Sequence, residues 1–100
     1  MEIKIQRNAQ ETIVRFIGDL DTIATTDQAE ELQKVLALAD QPLVIDGAEL
    51  DYISSAGLRF FMQLKRESEA KGGSVRVINL NADVSDIFRM SGFNNIFTVE

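Results

Sequence analysis

The sequence predicts a single α/β domain spanning residues 1–100, with a mixed four- to five-stranded sheet, an N-terminal hairpin and helices that alternate with strands. Three observations predict it. Apolar residues repeat every two positions near the start and every three to four positions later. A short, branched, continuous apolar run, Leu43-Val44-Ile45, has the character of a buried central strand. Segment ends carry Gly, Pro or Asn, residues that close strands and helices.

Taken in order, Ile3 and Ile5 alternate with polar neighbours, a polar break follows at Asn8 to Gln10, and alternation resumes through Ile13, Val14, Phe16 and Ile17 up to Gly18. This is the pattern of two strands joined by a hairpin. From Thr22 to Ala39 the residues Ala29, Leu32, Val35, Leu36 and Ala39 share one helical face, and Asp27, Glu30 and Glu31 lie near the start, where the helix dipole favours negative charge. One helix is expected there. Gln41-Pro42 interrupts it before the 43–45 strand, and residues 46–53 read as a turn. A second helix opens at Ser55, buries Gly57, Phe61 and Leu64, turns Arg59, Gln63 and Arg66 outward, and stops at Gly72-Gly73. Val75, Val77 and Ile78 form a strand, Asn81 caps a third helix carrying Val84, Ile87 and Phe88 that ends near Gly92, and residues 96–99 form a last short strand. Alternating elements of this kind imply right-handed crossovers and a largely parallel centre, which the first two strands make mixed.

Composition excludes several kinds of chemistry. With 45% hydrophobic and 26% charged residues the chain is an ordinary globular domain. It contains no cysteine, which removes disulfides and thiolate metal sites and makes a reducing, cytoplasmic setting the expectation. It contains no histidine, which removes the commonest general base and the commonest neutral metal ligand, so no catalytic role and no cofactor are expected. An acid–base pair such as Asp46 and Asp51 is the one enzymatic arrangement left. The first residues alternate charged and apolar side chains, unlike a signal peptide, and no apolar run approaches a membrane span, so no direct membrane insertion is expected. Sixteen acidic residues against ten basic ones give a net charge of −6, which repels nucleic acid and anionic lipid and leaves proteins as the expected partners. Arg59, Lys65, Arg66 and Lys71 cluster in one segment, readable as a local basic patch or as a solvated helix face.

In open α/β sheets functional groups collect beyond the carboxyl ends of the strands, where loops enter helix N-termini. Here that place is the stretch from Asp46 to Ile53 followed by Ser54-Ser55-Ala56-Gly57-Leu58. Two hydroxyls followed by small residues have two readings. Serine caps the free N–H groups of a first turn and Ala-Gly permits close packing, or else an accessible serine stands at a positive helix end that tolerates a phosphate.

The stretch Leu43-Val44-Ile45-Asp46, followed after a gap by Tyr52-Ile53-Ser54-Ser55-Ala56-Gly57-Leu58-Arg59, resembles the signature of STAS domains. Gly18-Asp19-Leu20-Asp21 is similar to the family's Gly-x-Leu-Asp turn, and Ile87-Phe88-Arg89-Met90-Ser91-Gly92-Phe93 to its Leu-Phe-x-x-Ser-Gly-Leu segment. The three match in order over nearly the whole chain. The resemblance is to bacterial anti-sigma factor antagonists, in which the modified serine lies within Asp-Ser-Ser-Gly or Asp-Ser-Thr-Gly. That registers the phosphorylation site onto Ser55, with Ser54 as the alternative because Ser54 and Ala56 replace the family's aspartate and second hydroxyl.

The resemblance implies partner switching. The unmodified domain binds an anti-sigma factor that is a serine kinase with a histidine-kinase-like ATPase fold, freeing a sigma factor; phosphorylation at Ser55 weakens binding, and a PP2C-type phosphatase restores it. Asp21, Asp46, Ser54, Ala56, Gly57, Leu58 and Arg59 are then the expected partner-binding residues. For Asp21 and Asp46, helix capping and turn formation are an equal reading. A different class of function is that of a STAS subunit or regulator docked on a membrane transporter, for example a lipid ABC importer, or on another signalling complex, without phosphorylation.

Overall fold

The computed structural model describes residues 1–100 and places six strands in one mixed sheet. Strand β1 (Glu2–Arg7) pairs antiparallel with β2 (Thr12–Leu20), which runs parallel to β3 (Pro42–Asp46). The order continues in parallel through β5 (Ser74–Ile78) to the short edge strand β6 (Thr98–Val99). The helices are α1 (Thr22–Asp27), α2 (Ala29–Ala37), α3 (Ser55–Lys71) and α4 (Ala82–Met90), and a 3₁₀ turn covers Phe93–Asn95. The α/β architecture and the N-terminal hairpin stand as the sequence predicts.

The sixth strand lies where a turn was expected. β4 (Leu50–Ile53) pairs in parallel with the distal part of β2, Gly18↔Leu50 and Leu20↔Ile53, while β3 covers only Thr12 to Arg15. β2 is nine residues long, so β3 and β4 occupy successive lengths of its flank. In β4 the buried residues are Leu50 and Ile53, with exposed Asp51 and Tyr52 between them. That spacing lacks the period-two alternation that marks a strand.

The single helix expected over Thr22–Ala39 is two, joined at Gln28. Threonine hydroxyls of α1 bond back to its first carbonyl, Thr25 Oγ1 and Thr26 Oγ1 both donating to Thr22 O at 2.8 and 3.1 Å. Such back-bonding, with the low helix propensity of β-branched residues, weakens and bends a helix. α3, by contrast, runs unbroken for 17 residues to Gly72, whose φ of +77° provides the left-handed C-terminal cap.

One face of the sheet makes the core. Val14, Phe16, Leu43, Ile45, Val75 and Val77 point to it, joined by Phe60, Phe61 and Leu64 of α3 and Val84 and Phe88 of α4. All six phenylalanines form one connected cluster with ring centroids 5.3 to 6.4 Å apart, and Phe61 touches four of the others. The alternate residues Ile13, Arg15, Val44, Asp46 and Arg76 belong to the opposite face, outside this cluster. No helix of the chain is long and apolar enough to cross a membrane.

Candidate functional site at the start of α3

The parallel register Leu20↔Ile53 brings the ends of β2 and β4 level, so α1 and α3 begin side by side. Asp21 caps α1, its carboxylate accepting the Ala24 N–H at 2.8 Å. Ser54 caps α3, and the two caps are tied together because the Ser54 N–H donates to Leu20 O at 3.0 Å. The Ser54 hydroxyl also donates to Leu20 O and accepts from the Gly57 N–H, both at 3.4 Å. Half-buried and bonded on both sides, Ser54 fits the capping reading. Ser55, the first residue of α3, is exposed and its hydroxyl has no partner in the protein. The adjacent hydroxyls therefore occupy different chemical situations.

Gly57 lets the two layers approach. A Cβ there would stand 2.6 Å from Leu20 O and 2.7 Å from Ile53 Cγ1, closer than any side chain tolerates. Gly57→Ala is expected to destabilise the domain by about 1–3 kcal/mol through overpacking. At a free helix position the same change stabilises by up to about 1 kcal/mol, so the sign seen in urea denaturation checks the close approach.

The surroundings are polarised. On one side Asp19, Asp21, Asp27 and Asp51 line an acidic cleft of about 440 Å³ that also contains Ile23. Ile23 and Tyr52 are two of only four large apolar side chains left exposed, and both lie at this end of the sheet. On the other side, Ala56 and Arg59 line a groove between α3 and the α1–α2 pair. Leu58 is half-buried against the core, so of the expected partner-binding residues Arg59 alone is exposed, one turn beyond the exposed Ser55.

Asp46 is placed differently. Its partners are the Ala48 N–H at 3.0 Å, Asn79 Nδ2 at 3.3 Å, and Nε and Nη2 of Arg15 at 3.4 Å, none of them in the serine turn. It stabilises the bend that carries the chain from β3 into β4. Burial pushes its carboxyl up, but the hydrogen bonds from Ala48 and Asn79 and the Arg15 charge outweigh this and hold it below its ordinary value of 3.8. Because the folded state lowers this pKa, the stabilisation is full above the unfolded value and is lost as pH falls below about 4. Asp46→Asn is expected to cost about 1–3 kcal/mol at pH 7. In denaturation series run from pH 7 down to 3, the gap between wild type and Asp46→Asn should narrow toward the acid end.

Asp46 and Asp51, the one carboxylate pair considered for catalysis, share no cavity: Asp51 lines the acidic cleft and Asp46 does not. No set of three or more carboxylates converges as a metal site.

Comparison with known proteins agrees with this architecture. The sequence model described as STAS domain matches residues 1–100. BtrV of Bordetella bronchiseptica, a candidate anti-sigma factor antagonist, is 33% identical over 88 residues, covering 84% of this chain and 76% of its own. Among solved structures, a candidate anti-sigma factor antagonist from Thermotoga maritima superposes with a TM-score of 0.85 at 10% identity, over 97% of this chain and 84% of that one. The anti-sigma factor antagonist SpoIIAA in its unphosphorylated form superposes with a TM-score of 0.79 at 18% identity, over 99% and 88%. With the family's fold present in full and its sequence model matched from end to end, the chain belongs to the STAS domain family, in its anti-sigma factor antagonist type.

Proposed function

We propose that the protein is an anti-sigma factor antagonist that works by partner switching at the start of α3. The observation that carries this reading is the contrast between the two serines: Ser54 is consumed as the helix cap, whereas Ser55 is exposed and unbonded. A kinase can reach that hydroxyl without dismantling the fold. Ser55, not its alternative Ser54, is the phosphorylation site in this proposal. Asp21, Ala56, Gly57, Leu58 and Arg59 shape the binding surface around it, and Asp46 acts by holding the β3–β4 bend.

The partner is an anti-sigma factor with a histidine-kinase-like ATPase fold that phosphorylates Ser55, and a PP2C-type phosphatase reverses the modification. A phosphate brings about −1.5 to −2 charges to one spot. The first turn of α3 accepts negative charge, so the penalty falls on the interface, where like charge and desolvation weaken binding.

The purified domain, incubated with the cognate kinase and ATP, should gain one phosphate, mapped by mass spectrometry to Ser55. It should be absent from Ser55→Ala and present in Ser54→Ala. Phosphate arriving elsewhere, or none arriving, rejects the reading.

A further inference from the structure

The groove between α3 and the α1–α2 pair has a volume of about 660 Å³ and begins beside Ser55, where Ala56 forms part of its wall. Its apolar surface comes from residues such as Ala29, Leu32, Phe60 and Met62. Two of its lining residues are charged, Arg59 and Arg66, and both are positive. In a chain of net charge −6, no carboxylate lines this cavity.

The arginines also differ from the other cations of α3. Lys65 pairs with Glu69 at 4.0 Å and Lys71 with Glu67 at 3.3 Å, whereas Arg59 and Arg66 have no carboxylate within ion-pairing distance. Seven residues apart, they lie on one stripe of the helix, about 10 Å from each other along its axis. Two unpaired guanidinium groups at that spacing, beside an apolar strip and with Gln63 between them, match a particular kind of ligand.

We propose that this groove docks an acidic amphipathic helix of a protein partner, with Arg59 and Arg66 as its charge anchors. Carboxylates two turns apart on the incoming helix would meet the two arginines, while its apolar stripe, repeating every three to four residues, would lie along the groove floor. Leu32, Leu36 and Phe60 are already largely buried in the core, so the floor offers little new apolar area and charge carries much of the recognition. Binding is therefore expected to be weak for an isolated helix and sensitive to salt. The inference rests on reading this end of the domain as a protein-binding face, and it does not require Ser55 to be modified.

The probe is a designed 14-residue helical peptide with a leucine stripe and two glutamates seven residues apart, compared with the same peptide carrying lysines in their place. Fluorescence anisotropy should show the glutamate peptide binding at least tenfold more tightly, with amide NMR shifts confined to the groove-lining parts of α1, α2 and α3. Arg59→Glu combined with Arg66→Glu should reverse the preference, the lysine peptide now binding better. Raising salt from 50 to 500 mM should weaken the wild-type complex at least fivefold. Equal binding of the two peptides overturns the proposal, as do shifts centred on the acidic cleft or the open sheet face. Sedimentation showing a dimer of the domain that the two arginine substitutions dissolve overturns it too, since a second copy would then fill the groove. None of these readouts involves the kinase or phosphate transfer, so failure here is separable from failure of the Ser55 reading.

Discussion

Ser55→Asp is expected to weaken binding to the cognate anti-sigma factor about a thousandfold while leaving the domain as stable as wild type. The two halves of this expectation have separate physical origins. In the free domain residue 55 is the first residue of a 17-residue helix, exposed to water, and a carboxylate there interacts favourably with the helix dipole by about 0.3–1 kcal/mol. It also stands four residues before Arg59, which has no carboxylate within ion-pairing distance, and such a pair adds about 0.3–0.5 kcal/mol. The melting temperature should hold or rise slightly. In the proposed complex, the same charge would lose water and meet a surface formed around a neutral hydroxyl. A loss of about 4 kcal/mol at an interface is a factor of about a thousand in affinity. Titration calorimetry with the purified partner reads the affinity, and thermal melting of the free domain reads the control. Undiminished affinity in Ser55→Asp would remove Ser55 from the mechanism. Ser54→Ala should behave in the opposite manner, losing about 1 kcal/mol of stability with its cap.

Phe61→Ala is expected to remove about 3–5 kcal/mol of stability, the largest effect of any single truncation in the core. Phe61 is fully buried and meets Phe16 of β2, Phe60 of α3, Phe88 of α4 and Phe97 beyond the 3₁₀ turn. It joins the sheet to two helices and to the last turn, and truncation leaves a cavity bounded by four rings that cannot all collapse into it. Domains of this size are stable by about 5–15 kcal/mol in total, so the variant should unfold at a much lower urea concentration, by at least about 1 M for an ordinary dependence on denaturant. Phe61→Leu, which keeps most of the volume, should recover more than half of the loss. A midpoint shift of a few tenths of a molar for Phe61→Ala would show that the aromatic cluster is not the centre of the core.

Much of this was legible in the sequence because it is locally encoded. Asn81 before an apolar-periodic segment does cap α4, its side chain accepting the Val84 N–H at 2.8 Å. Gly72 does end α3 in the left-handed conformation. Leu43-Val44-Ile45 is the buried central strand that its branched, continuous run announces. Where the reading differed, the deciding interactions lie elsewhere in the chain or among polar groups. β4 is four residues long and irregular in pattern, and it is a strand because the distal part of β2, about thirty residues earlier, offers it unpaired backbone. α1 separates from α2 at Gln28, whose backbone N–H turns to Ala24 O and Thr26 O, a polar break that the apolar periodicity does not register.

The serine pair divides in the same way. Residue types and order alone determined that a helix starts at this turn, that its first residues are small and hydroxylated, and that the chain carries the STAS signature. Which hydroxyl is spent on the cap was settled by the carbonyl of Leu20, brought beside Ser54 by strand pairing with β2. The sequence turns Arg59 and Arg66 outward on one helix face, but neither the groove beside them nor the carboxylates that Lys65 and Lys71 find and they lack was visible in it. Periodicity, capping and composition act over a few residues and can be read along a chain. Bonding and charge pairing depend on what the fold brings near, so only the tertiary structure decided which serine is free and which charges are unanswered.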